Sequence, residues 1–208
     1  VTGRASAVAA RVTPRYPAVP ETSVALAHAT LQQGARHIAG LAPWADPMVE
    51  GPQAVVRARY VGNCLRELDR FLGVLLDVSC LAPRPRLLTL KPDTATRIAV
   101  YEADGWDIRP TQRRLRALER SRLCLFHDAG RVGCGDVPQA RWLTSGWRDA
   151  GSPDLRRYAI GARLRPSALH LHDIAGFYAG LGDRIVSGAP DSRSNRLRLC
   201  LRSDTLVS

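Results

Sequence analysis

One run constrains the fold more than any other: residues 53–79, QAVVRARYVGNCLRELDRFLGVLLDVS. Val61, Leu65, Leu68, Leu72 and Leu75 recur at steps of three and four, which places them on one face of a helix. Cys64 and Phe71 widen that stripe, and Arg59, Asn63, Glu67 and Arg70 fall on the other side. A helix over this span would run about 40 Å at 1.5 Å per residue, enough to cross a small domain. The rest of the chain is expected to pack on it.

Thr22 or Ser23 is placed to cap an earlier helix reaching about residue 41, with Val24, Ala27, His28, Leu31, Ala35 and Ile38 as its apolar stripe. Residues 1–20 carry three prolines, several arginines and no acid, and are read as a flexible basic arm ahead of a single domain over 21–208. After residue 85 the period changes. Residues 86–90 (RLLTL) and 96–103 (TRIAVYEA) read as strands, 111–122 as a helix and 122–126 (RLCLF) as a strand. Residues 127–154 read as glycine-rich and irregular, anchored by Trp142 and Trp147. The stretch 156–164 suits strand or helix, 168–172 (ALHLH) alternates like a short strand, 173–186 has helical spacing, and 196–202 (RLRLCLR) alternates cleanly. The expected fold is α+β: two N-terminal helices packed on a mostly antiparallel sheet, with one or two further helices.

Charge gives the functional lead. The chain carries a net +11, and Lys91 is its only lysine. A GC-rich source favours arginine over lysine without any functional reason, so the excess of positive charge carries the functional argument and the identity of the cation does not. Residues 81–208 hold +9 of that charge. Arginine forks match phosphates, so a basic surface points to nucleic acid. On a helix over 111–122, Arg113, Arg116 and Arg120 share one side, with Arg114 turning elsewhere. Arg156, Arg157, Arg163 and Arg165 form a second cluster, and Arg196, Arg198 and Arg202 a third on one face of the last alternating run. These eleven arginines are the expected nucleic-acid contacts. The basic helix, the RLCLF strand and the glycine turn after it together allow a winged-helix arrangement.

Two other functions are compatible with the same residues. A basic arm suits an assembly subunit, such as a viral coat protein or another component of a nucleoprotein particle. His127 and Asp128 at one strand end, beside His170 and His172 pointing together from another strand, would make a metal-dependent hydrolase. On a helix His170 and His172 would diverge by about 200°, and the pair would be lost. No P-loop, GxSxG or HExxH motif occurs, so the sequence leans away from an enzyme and no cofactor is expected. Five widely spaced cysteines with no CxxC pair suit a reducing compartment, cytoplasmic or within a nucleoprotein particle. No run has the length of a membrane span, so the expected partners are nucleic acid and other protein subunits, with no membrane.

Overall fold

The computed structural model describes residues 21–44, 51–79, 93–99, 101 and 106–188. Five helices and one two-stranded sheet follow in the order α1 (Glu21–Gly40), α2 (Pro52–Ser79), α3 (Thr94–Arg97), α4 (Arg109–His127), β1 (Trp142–Arg148), β2 (Leu155–Ala159) and α5 (Ala168–Ser187). The fold is α+β. No described helix is long and apolar enough to cross a membrane.

α2 is the helix its spacing predicts. Val61, Leu65, Leu68, Leu72 and Leu75 are all buried, and Leu76 joins them. α1 lays Ala27, Leu31, Ala35 and Ile38 into the same core. Its closest partner beyond α2 is α5, across which Gln32 Nε2 donates to the Ala179 carbonyl at 3.1 Å and to Asp183 Oδ1 at 2.8 Å. Gly182 of α5 permits the approach, because a Cβ there would stand 2.9 Å from Leu31. The other long side of α2 packs on α4, where Gly62 lets the backbone of Phe126 come close.

The sheet lies elsewhere than expected. β1 and β2 form an antiparallel hairpin with Leu143 opposite Tyr158 and Thr144 opposite Arg157, and it packs on α4 and α5 instead of on the two N-terminal helices. β1 falls inside the stretch that reads as irregular. Gly146 explains both the misreading and the packing. Its hydrogen faces Leu118 of α4 so closely that a Cβ would stand 2.8 Å from the Leu118 Cα, with the Leu118 side chain nearer still. Gly146→Ala is therefore expected to cost about 3 kcal/mol, the upper end for overpacking, which a urea melt would read directly.

Three expected strands are helical. Of residues 96–103, those described are helical or in tight turns: Asp93 caps α3 by accepting from the Thr96 N–H at 2.6 Å, and Ile98 and Tyr101, three residues apart, are both buried. RLCLF is the last part of α4, which continues unbroken through Ala117, Leu118, Ser121, Cys124 and Leu125 on its buried side. ALHLH opens α5. There Ser167 Oγ accepts from the His170 N–H at 3.4 Å, while His170 Nδ1 accepts from the Ser167 N–H at 3.0 Å. This is a capping box with histidine standing where glutamate or glutamine is usual. The strands expected at 86–90 and 196–202, and the arm at 1–20, lie outside the described residues.

Asp69 of α2 faces Thr94 of α3, whose hydroxyl donates to its carboxylate. Burial raises the Asp69 pKa above its ordinary 3.8, against the lowering effects of that hydroxyl and of Arg122. The folded state therefore holds this proton more tightly than the unfolded chain does. Stability is highest below the unfolded pKa and falls as pH rises through the folded one. Asp69→Asn keeps the oxygen for Thr94 and removes the charge. Calorimetry should find its Tm above that of the parent at pH 7 and equal to it near pH 3. Equal Tm values at both pH values would refute the assignment.

Candidate nucleic-acid interface

α4 is built to divide its arginines between two tasks. At 100° per residue, Arg109, Arg113, Arg116 and Arg120 fall within an arc of about 60°, on the side away from the buried Leu115, Leu118 and Leu125. Arg109, Arg113 and Arg116 are exposed. Among the described residues no carboxylate pairs with any of the three. Together the four span about 16 Å along the axis, close to one fork per turn. Pro110 sits in the first turn, where its missing N–H costs nothing, and starts the helix two residues earlier than the sequence suggests. That earlier start adds Arg109 to the stripe, a residue sequence reasoning missed. The signal for it was the proline itself.

Arg114 belongs to the other task and is not an interface residue. It is 5% exposed. Its Nη2 lies 2.6 Å from Asp173 Oδ2 and donates also to the Asp173 carbonyl, while its Nε donates to the Gly146 carbonyl at 3.0 Å. Phe177 covers the guanidinium plane at 4.4 Å. Burial lowers the Arg114 pKa, and the Asp173 charge opposes that shift. Asp173 also accepts from the Arg148 N–H at 2.9 Å, so one ion pair ties α4, β1 and α5 together.

The stripe runs on toward the hairpin. Arg120 Nε lies 3.1 Å from Asp136 Oδ1, though without the alignment of a hydrogen bond. Asp136 is held in place by the Thr144 N–H and hydroxyl. Thr144 is the cross-strand partner of Arg157, and such partners project from the same face of a sheet. Arg157 is exposed and continues the row that starts on α4. Arg156 is exposed as well, but it stacks on Tyr158 and pairs with Asp149 at 2.7 Å, so its role is to hold the turn.

Arg163 forms an isolated antiparallel bridge with Arg131, so two exposed arginines stand opposite each other. Like charges so placed repel unless an anion lies between them. Arg165 is half-buried and lines an apolar cavity. Arg196, Arg198 and Arg202 lie outside the described residues. The expected clusters thus resolve into one row (Arg109, Arg113, Arg116, Arg120 and Arg157), one opposed pair and several structural arginines.

The histidine constellation does not assemble. α5 is a helix at this point, so His170 is buried while His172 is exposed on another side. His127 and Asp128 end α4 in solvent. Among the described residues no group of three potential ligands could hold a metal ion. Ser167, His170 and Asp149 match a hydrolytic triad in composition only. His170 Nδ1 accepts the Ser167 N–H, which leaves Nε2 to donate to Asp149 Oδ1 at 3.1 Å. The serine hydroxyl faces the backbone, so no base can activate it. That contact with His170, more than the one with Arg156, holds the Asp149 carboxyl below its ordinary pKa. Cys124 is no nucleophile either: burial pushes its thiol up to about 12, and its Sγ donates to the Arg131 carbonyl.

Comparison with protein-family models, with curated proteins and with solved structures found no match to this chain.

Proposed function

We propose that this protein binds nucleic acid, with α4 as the reading element and the hairpin as its flank. The observation that carries the proposal is the set of three exposed arginines on α4, Arg109, Arg113 and Arg116, that no described carboxylate neutralises. Residues 109–165 hold thirteen arginines against five carboxylates, so the local excess is steep. An isolated helix face of like charges would be costly without a polyanion to meet it. A helix about 10–12 Å across fits the roughly 12 Å major groove of duplex DNA. The deep, narrow major groove of duplex RNA does not admit it, so the geometry favours DNA. Within the first turns of α4, Gln112 stands beside the arginines, and its amide has the donor and acceptor pattern that pairs with adenine.

The test is fluorescence anisotropy with a labelled duplex between 50 and 200 mM salt. Phosphate contacts from the four exposed members of the row, Arg109, Arg113, Arg116 and Arg157, predict a slope of log K against log salt of about −3.6. A slope near zero, or no binding at the lowest salt, would remove the proposal. Duplex RNA binding as tightly as duplex DNA would remove the groove assignment and leave the phosphate grip.

A further inference from the structure

The two tryptophans of β1 have opposite surroundings. Trp147 is fully buried, with Tyr158 and His170 against its ring. Trp142 is 52% exposed, and among the described residues no ring or cation stacks on it. Its cross-strand partner is Ala159, too small to cover an indole, although an aromatic on a hairpin ordinarily gains from a large neighbour there. So much exposed aromatic area is a cost unless something covers it.

Trp142 lies on the arginine side of the hairpin. Residues two apart on a strand share a face, so Trp142 and Thr144 project together, and Ala159 and Arg157 project with them from β2. Leu143 and Tyr158 occupy the other, buried face. Trp142 and Arg157 are thus diagonal neighbours, about 7–8 Å apart at the backbone. Thr144 leads on to α4 through Asp136, which it holds and which lies 3.1 Å from Arg120. A flat apolar ring therefore stands beside the row of cations, and the Asp136 carboxylate there is already engaged.

We propose that Trp142 stacks on an unpaired base, so that the DNA gripped by α4 and Arg157 is a duplex with a single-stranded stretch beside it, an assignment that rests on the phosphate grip proposed above. Every base offers a π face, and an indole covers it whatever the sequence. Inside a duplex those faces are stacked on one another, so the ring can reach only a base that has left the stack. One nucleotide carries base and phosphate together, which matches an exposed ring and an exposed guanidinium projecting side by side. An apolar protein surface would cover the ring as well, but would desolvate Arg157 with no anion in return.

The full chain is titrated by fluorescence anisotropy with three labelled DNAs of one duplex sequence: blunt, with an overhang of four adenine nucleotides, and with the same overhang built of abasic sugars. The abasic overhang keeps the phosphates and removes the bases. The adenine overhang should bind at least about fivefold more tightly than the abasic one, the low end for stacking on one aromatic side chain. Trp142→Ala should bring the two overhangs to equal affinity, and Trp142→Phe should keep most of the difference. Circular dichroism confirms that both variants are folded. Equal binding of the two overhangs by the parent, with the blunt duplex still bound and still salt-dependent, overturns the stacking alone and leaves the phosphate grip standing. A preference that survives in Trp142→Ala overturns the stacking too. So does a dimer in sedimentation that Trp142→Ala dissociates, which would assign the ring to a second copy of the chain. No binding of any of the three DNAs removes the grip and the stacking together.

Discussion

Asp173→Ala is expected to lower the unfolding free energy by about 3–5 kcal/mol, the range for removing one partner of a buried ion pair. For a domain of this size that is roughly 10–15 °C in Tm. The cause is the arginine left behind more than the attraction lost. Arg114 is buried between Gly146, Phe177 and α5, and without Asp173 its charge would face two backbone carbonyls and a ring, with no anion. The Arg148 N–H would lose its acceptor in the same step. The double variant Arg114→Leu/Asp173→Leu removes both charges and should be less damaged than Asp173→Ala alone, because an apolar pair can replace a buried ionic one at little cost. Denaturant melts of the two single variants and the double give the coupling. A Tm for Asp173→Ala within a degree of the parent would show that the pair does not hold the three elements together.

The second large effect is on binding. Arg109→Gln/Arg113→Gln/Arg116→Gln should flatten the salt slope by about 2.7, and at 0.1 M salt should weaken duplex binding by two to three orders of magnitude. All three side chains are exposed and free of described carboxylates, so the Tm should hold or rise slightly as repulsion is relieved. Arg156→Gln is the internal contrast. Its charge already serves Asp149, so it should leave the slope nearly unchanged and loosen the turn instead. If the triple variant binds as the parent does, the row on α4 is a solvated face.

The sequence made some of this plain because certain patterns are local. The leucines of α2 and the arginines at 113, 116 and 120 are fixed by helix geometry alone, and the structure keeps both faces. Other features depend on partners far along the chain. Arg114 differs from its neighbours only because Asp173, fifty-nine residues on, meets it. Gly146 suggests a loop until Leu118 is known to lie against it. Ile98 and Tyr101 have strand-like neighbours, yet the Asp93 cap and their three-residue spacing turn the segment into helix. In ALHLH the alternation is incidental, and the deciding interaction is a serine cap answered by a histidine, a pairing that sequence rules do not seek. The expected histidine site depended on that segment being a strand, so it was lost with the strand.

The pairing of α1 with α5 has a consequence for how the molecule is made. A ribosome delivers Leu31 and Gln32 long before Ala179, Gly182 and Asp183 emerge to cover them. Through most of translation at least one greasy flank of the early helix must wait uncovered. Closure of the domain is then a late event that depends on α5, and chains stalled before residue 187 are the natural clients of chaperones.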